Sequence, residues 1–214
     1  MSIYFFKSMP THVKDNIKCV RDSFDNFWNI LTLVEAINFY PEIDLNNNGV
    51  FDIALYTRDF SRFLVKKEDG FFSMNNPFQV IYDGDIIRFG CDLIGKPVDA
   101  LFISLMRNAI ETVQDSEFSI DDILLSFNQN FDLEFLEASL YGSAFCQLLS
   151  RDSGYFRFDD DPDNANGHIH PRHHVDVFYN QSCTIKIGCE TKLGVEQFVS
   201  LADKNVPKLY LGQL

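Results

Sequence analysis

Basic side chains are scarce in this sequence. Its 214 residues contain 18 Lys and Arg against 31 Asp and Glu, which gives a formal net charge of −13. Because nucleic acids and anionic membranes are bound largely through cationic side chains, this deficit argues against both partners. A basic protein partner or a metal cation suits such a charge better.

Long apolar runs are also absent, so the sequence predicts no membrane-spanning segment. Residues 1–9 are apolar, but they lack the basic start and the cleavage site of a signal peptide. The five cysteines are odd in number and none has C-x-x-C spacing. This pattern predicts reduced thiols, and we expect a cytoplasmic protein.

Several motifs of known chemistry are missing. The sequence has no G-x-G-x-x-G, no G-x-x-x-x-G-K-[ST] and no G-x-S-x-G, which removes support for nucleotide-cofactor and hydrolase-elbow enzymes. Internal repeats and Pro/Ser-rich linkers are missing as well. We therefore predict a single domain over residues 1–214, with a subdivision near residue 150 as the alternative.

Apolar residues are plentiful at 46%, with 22 Phe, so the chain can fill a sizeable core. The order of patterns predicts an α+β fold rather than alternating βαβ units. It comprises a long N-terminal helix, an antiparallel β meander, middle helices and C-terminal antiparallel strands with one helix. In the meander, Asp83-Gly84 between two β-branched runs is typical of a hairpin turn.

The N-terminal helix is predicted over Thr11 to Tyr40, where apolar residues alternate at spacings of four and three. These seam residues are Val13, Ile17, Val20, Phe24, Phe27, Leu31 and Val34. One interpretation is a partner or homodimer interface through the 13–34 seam. The other is a helix packed on its own domain, favoured by the bulk of the phenylalanines.

Later elements follow from similar patterns. Ser119 with Asp122 resembles a capping box. The remaining predicted elements are a helix from Pro97, a helix over Asp132–Leu149 with Phe135, Leu136, Leu140 and Leu148 on its apolar face, strands over Tyr155–Phe158, His174–Tyr179 and Thr184–Ile187, a helix over Val195–Ala202 and a closing strand over Pro207–Leu211.

The densest site-like chemistry is a His/Asp-rich stretch from Asp159 to Asp176. Imidazoles and carboxylates are the usual ligands of first-row divalent metals and the usual acid–base groups. If His174–Tyr179 is a strand, His174 and Asp176 share one face. One interpretation is therefore a zinc, manganese or magnesium site, and the sequence leaves open whether the cluster binds any metal. The predicted metal ligands are His170, His174 and Asp176, and the predicted catalytic residues are Asp159, Asp161, His168 and His173.

Other interpretations of this stretch stay open. Residues 161–167 are turn formers, so the loop could be solvated and bind nothing. Metal-free acid–base chemistry needs the same groups. Calcium-loop spacing occurs from Asp159 and again from Asp44, but both lack the closing Glu. Cys183 and Cys189 lie close in sequence and are best explained as inert thiols.

The segments Arg157-Phe158-Asp159, Asp161-Pro162-Asp163, His170-Pro171 and His174-Val175-Asp176 together resemble the C-terminal pattern of the DUF2290 family of bacterial proteins. The similarity covers about the last quarter of the chain. In that family a His stands where this chain has Asp176. The resemblance implies a bacterial or phage-related accessory protein and no defined activity.

These observations lead to two principal hypotheses. The first is an accessory or interaction protein, of the kind found in bacterial defence or mobile-element operons. The second is a divalent-metal-dependent hydrolase, acting on a phosphoester through the cluster 159–176. A third hypothesis is a recognition loop whose histidines respond to pH. Whether the protein is an enzyme is left open by the sequence.

Overall fold

A computed structural model describes residues 2–39, 43–44, 50–57, 60–84, 86–114, 118–151, 154–180 and 183–209. The elements, in chain order, are β1 (Ser2–Phe6), α1 (Thr11–Asp15), α2 (Ser23–Phe39), β2 (Ile43–Asp44), β3 (Ile53–Thr57), β4 (Arg62–Lys66), β5 (Gly70–Asn75), β6 (Gln79–Tyr82), β7 (Ile87–Cys91), β8 (Lys96–Pro97), α3 (Ala100–Gln114), α4 (Ile120–Phe131), α5 (Phe135–Leu149), β9 (Phe156–Asp160), β10 (His173–Asn180), β11 (Cys183–Cys189) and α6 (Val195–Ala202). Helices and antiparallel sheets confirm the α+β class. Within the described residues, no helix is both long enough and apolar enough to cross a membrane.

The chain divides into two compact units. The first contains residues 1–8, 42–76 and 153–214, and the second contains residues 9–41 and 77–152. This division does not test the single-domain prediction, which stays a prediction.

The first unit is built on an eight-stranded antiparallel sheet in the order β11-β10-β9-β5-β4-β3-β1-β2. Helix α6 contributes Phe198, which is fully buried and meets Tyr56 edge to face with the ring centroids 5.0 Å apart. Phe158 and Val175 belong to the same apolar cluster. Burying side chains of this size stabilises the fold by about 1.5–3 kcal/mol each.

Strand register determines which polar groups meet at this end of the sheet. Asp159 is paired with His174, and Asp176 lies between Arg157 on β9 and Lys186 on β11. Because paired residues of adjacent strands project to the same face, these five side chains share one face. Alternation sends Val175 to the opposite, apolar face, as the sequence predicted.

Gly70 allows β5 to lie close to β9. A Cβ atom at this position would stand 1.8 Å from the carbonyl oxygen of Phe158, and the φ angle of +157° is one that residues with side chains rarely adopt. Gly70 is the register partner of Asp159. The approach of the two strands therefore fixes the backbone that carries Asp159.

The second unit combines α1–α5 with the three-stranded sheet β6-β7-β8. The hairpin predicted at Asp83-Gly84 is confirmed, because β6 and β7 pair antiparallel on either side of it. The helix predicted from Thr11 to Tyr40 is instead divided into α1 and α2, with residues 16–22 outside both. Tyr40 lies outside the described residues.

The 13–34 seam lies mostly in the core of the second unit. Five of its side chains are buried, namely Val13, Val20, Phe27, Leu31 and Val34. This placement supports the interpretation of a helix packed on its own domain. A homodimer or partner interface through the seam is not supported, because those side chains already have apolar neighbours within the chain.

Two further predictions differ from the structure. The helix predicted over Asp132–Leu149 begins at Phe135, because Asp132 adopts a left-handed conformation that ends α4. The segment Pro207–Leu211 forms no strand over its described residues 207–209, and residues 210–211 lie outside them. The capping prediction is confirmed: Ser119 Oγ accepts a hydrogen bond from the Asp122 backbone N–H.

The predicted apolar face of α5 is also wrong. Phe135, Leu136 and Leu140 are exposed, and only Leu148 of the predicted set is buried. Helix α5 instead buries Ala138, Tyr141, Gly142, Ala144 and Phe145 together with Leu148. The reason lies in helix packing: a Cβ on Gly142 would stand 2.8 Å from Leu124 Cδ2, so α4 approaches along this small-residue face.

Candidate functional site

Three groups on β9 and β10 could hold one cation. One ligand atom each from Asp159, His174 and Asp176 lies within 4.8 Å of the others. The cluster is largely closed to solvent, with the side chains of His174 and Asp176 exposed by 1% and 4%. Such a set of groups can either bind a metal ion or form buried ion pairs.

The proton position on His174 follows from its hydrogen bond. Nδ1 lies 2.8 Å from the carbonyl oxygen of Pro171, and a carbonyl oxygen can only accept. Nδ1 therefore carries a proton, and in the neutral ring the lone pair is on Nε2. That Nε2 atom lies 3.3 Å from Asp159 Oδ2 and 3.7 Å from Asp176 Oδ2. A lone pair facing two carboxylates is repulsive, so the arrangement calls for a proton or a metal ion.

Arg157 contacts both carboxylates, and Lys186 contacts that of Asp176. Arg157 Nε lies 2.6 Å from Asp159 Oδ2, and its Nη2 lies 2.7 Å from Asp176 Oδ2. Lys186 Nζ lies 2.9 Å from Asp176 Oδ1. This contact is an ion pair between the ammonium and the buried carboxylate. With a neutral imidazole, the two carboxylates are balanced by two cations.

The two carboxyl groups respond differently to this environment. Burial raises the pKa of Asp159, although Arg157 and His174 oppose the shift. Burial would also raise the pKa of Asp176, but Lys186 and Arg157 outweigh it and hold that pKa below its ordinary value. Asp176 is therefore the more firmly ionised member of the pair.

The neighbouring loop forms separate contacts. His170 Nε2 lies 3.2 Å from Asp161 Oδ2, and the His170 ring stands perpendicular to that of His174 with centroids 5.1 Å apart. Asp161 Oδ1 also accepts from the backbone N–H of Asn164, which makes it a turn-forming residue. The loop thus has the character of a hydrogen-bonded turn beside the cluster.

His173 and His168 lie apart from the cluster. The side chain of His173 projects from the opposite face of β10 to that of His174, and its Nε2 lies 3.3 Å from Asp160 Oδ1. Asp160 also pairs with Arg172 at 2.7 Å and Lys192 at 3.2 Å. His168 is exposed. Of the seven predicted site residues, the structure gathers Asp159, His174 and Asp176, with His170 adjacent.

Sequence reasoning missed Arg157 and Lys186. A hairpin turning near residue 181 places Lys186 opposite Asp176, and this is the observed register. Arg157 stands two residues before Asp159 on a strand, so the two share a face. Both signals are present in the sequence, but Arg and Lys are not metal-ligand types and so do not contribute to a metal-site pattern.

Comparisons of this chain with protein-family models, with curated proteins and with solved structures give no match. The resemblance to the DUF2290 family therefore stays a prediction.

Proposed function

We propose that this protein is a non-catalytic accessory protein that binds a divalent transition-metal ion through Asp159, His174 and Asp176. The observation that carries the proposal is the orientation of His174. Its Nδ1 donates to the Pro171 carbonyl and its Nε2 faces two carboxylate oxygens. Metal-ligating histidines commonly have their second ring nitrogen held in this way.

The ligand set fits zinc or manganese better than a harder cation. One imidazole and two carboxylates are ligands that these ions accept, at metal–ligand distances of about 2.0–2.2 Å. Atoms bound to one ion at that distance lie about 3.4 Å apart in tetrahedral geometry. The His174 Nε2 to Oδ2 distances of 3.3 and 3.7 Å are close to this spacing, and no pair of the present donors, all within 4.8 Å of one another, would need to contract by more than about 1.4 Å.

Arg157 is the main competitor of the ion. Its guanidinium contacts the same Oδ2 atoms of Asp159 and Asp176 that a metal would bind. An incoming ion must displace those contacts, because two cations cannot occupy one position between the carboxylates. We therefore propose that Arg157 holds the carboxylates in the metal-free protein and turns aside in the metal-bound one.

Burial favours the accessory-protein hypothesis over the hydrolase hypothesis. A catalytic metal keeps a coordination position open to water and substrate, whereas structural sites are closed. His174 and Asp176 are almost fully buried, and the side chain of Asp159 is exposed by only 14%. An ion held by these side chains would be largely closed to solvent, so we propose a structural metal site rather than a phosphoesterase centre.

Metal titration of protein purified without a His tag tests the proposal. Calorimetry and elemental analysis with Zn²⁺, Mn²⁺, Mg²⁺ and Ca²⁺ should show one equivalent of Zn²⁺ or Mn²⁺ bound. Asp159→Asn should weaken binding at least about tenfold, since it removes a charged ligand while preserving shape. His168→Gln is the matched control, because His168 is an exposed imidazole of the same segment.

The two outcomes are distinguishable. Equal weakening by His168→Gln and Asp159→Asn would show that binding is diffuse over the histidine-rich loop. Absence of Zn²⁺ and Mn²⁺ binding to the folded protein would leave a proton as the occupant between His174 and the carboxylates. Either result would contradict the metal proposal.

A further inference from the structure

The segment from α4 to α5 exposes an unusual amount of apolar side chain. Leu136 is 83% exposed. Phe118, Ile120, Leu125, Phe135 and Leu140 are also exposed. Leu136 and Leu140 are four residues apart on α5 and therefore lie on the same face of that helix. Clustered exposed apolar side chains of this kind mark interaction surfaces in folded proteins.

The same segment has charge of one sign. From Phe118 to Ser150 the sequence contains no Lys or Arg, whereas it contains five Asp and Glu. Asp121 and Asp122 lie in the first turn of α4, and Glu134 precedes α5. From β8, Lys96 Nζ lies 3.6 Å from Glu137 Oε1. The apolar side chains are therefore accompanied by acidic ones.

Helices α4 and α5 form a supported platform for this surface. Gly142 of α5 lies against Leu124 and Ile120 of α4, and a Cβ at Gly142 would come within 2.8 Å of Leu124 Cδ2. Underneath, Ile123 and Phe127 of α4 are fully buried. The exposed side chains thus project from two closely packed helices whose inner faces are fixed in a core.

We propose that the α4–α5 surface binds an amphipathic, basic helix of a partner protein. The apolar face of such a helix would cover Leu136 and Leu140, and its Lys and Arg would meet the acidic residues. Helix-in-groove recognition combines these two features. The surface lies in the second unit, so the proposal stands or falls independently of metal binding.

Charge excludes the main competing occupants. A second copy of this chain would bring a second predominantly acidic surface against the first, and like charges oppose such a contact. Nucleic acid and anionic membranes are opposed for the same reason. A basic helix is the occupant that satisfies both the apolar and the acidic side chains.

Fluorescence anisotropy with a defined peptide tests the proposal. The probe is a labelled peptide of about 18 residues that has Leu along one helical face and Lys along the opposite face. Two control peptides carry Glu in place of Lys, or the same residues in scrambled order. We expect binding of the first peptide only, weakened at least tenfold by Leu136→Ser with Leu140→Ser and weakened by added salt.

Ile169→Ser is the matched control variant, because Ile169 is 84% exposed but lies in the loop of the first unit. It should leave peptide binding unchanged. The proposal is overturned if the scrambled peptide binds equally or if Ile169→Ser weakens binding as much as the leucine pair. It is also overturned if sedimentation shows a homodimer that Leu136→Ser dissociates, since the occupant is then a second copy.

Discussion

Replacing Arg157 by Met should reveal how strongly the buried carboxylates depend on their shared cation. Met preserves much of the length of the side chain but removes its charge. Arg157 contacts Asp159 Oδ2 and Asp176 Oδ2 at 2.6 and 2.7 Å. Without it, two carboxylates whose oxygens lie within 4.8 Å of each other keep the Lys186 ammonium beside Asp176 and lose the guanidinium that they share.

The magnitude follows from Coulomb's law. Two unit charges 4.8 Å apart repel by about 3.5 kcal/mol at an effective dielectric constant near 20. Lys186 reduces this repulsion, and breaking buried ion pairs commonly costs about 3–5 kcal/mol. We expect Arg157→Met to lower the free energy of unfolding by about 2–4 kcal/mol at neutral pH.

Urea denaturation followed by circular dichroism measures this loss. Arg172→Met is the matched control, because Arg172 pairs with Asp160 at 2.7 Å while its side chain is 56% exposed. Loss of an exposed pair should lower the stability much less, because solvent screens its charges. The deficit of Arg157→Met should shrink toward acid pH. The pKa of Asp159 is already raised, and losing Arg157 raises it further, so the folded variant takes up a proton earlier than the unfolded chain.

A similar small loss for both Arg variants would refute the reasoning, since it would show that the carboxylates are not electrostatically coupled.

Zn²⁺ adds a second readout. If the metal proposal holds, Zn²⁺ should stabilise Arg157→Met more than the unmodified protein, because the competing guanidinium is gone. Replacing Asp176 by Leu in the same variant should restore part of the stability.

Two further predictions concern the sheet of the first unit. Gly70→Ala should lower the free energy of unfolding by more than about 3 kcal/mol, because its Cβ would overlap the Phe158 carbonyl oxygen; Gly84→Ala, which meets nothing within 4 Å, should cost about 1–2 kcal/mol in the same denaturation assay. Equal losses would contradict the close-approach explanation. Burial raises the pKa of Tyr56 to about 12, whereas the phenol of an unfolded chain ionises near pH 10. The stability that depends on a neutral Tyr56 is therefore fully present below about pH 10 and is lost as the pH rises to about 12. Tyr56→Phe should therefore resist alkaline unfolding by up to about 2.7 kcal/mol, and an unchanged alkaline midpoint would argue against it.

Strand alternation made the face shared by His174 and Asp176 predictable, and turn chemistry made the hairpin at Asp83-Gly84 predictable. Both are local rules, in which side-chain direction or turn conformation depends on immediate neighbours. The pairing of Asp159 with His174 is a different matter. It depends on the register between β9 and β10, which alternation within one strand does not determine.

Helical segments show the same limit. Spacing placed Leu31 and Val34 correctly on a buried surface, but it did not reveal the interruption between α1 and α2. On α5 the sequence predicts that the larger residues, Leu136 and Leu140, face inward. Packing against α4 instead selected the face with Ala138 and Gly142, because close helix approach requires small side chains. Which face of α5 is buried depends on α4 and cannot be predicted from the sequence of α5 alone.

The order of strands in the large sheet has a consequence for how the chain folds. Strands β5 and β9 are adjacent through Gly70 and Asp159, yet the whole stretch 77–152 of the second unit separates them in sequence. Closing so long a loop is entropically costly and slows the search for native pairing. We expect β5 and β9 to join late, after the inserted stretch has become compact. A chain halted before β9 would then display the edge of β5 to other chains, and that edge is where aggregation during synthesis should begin.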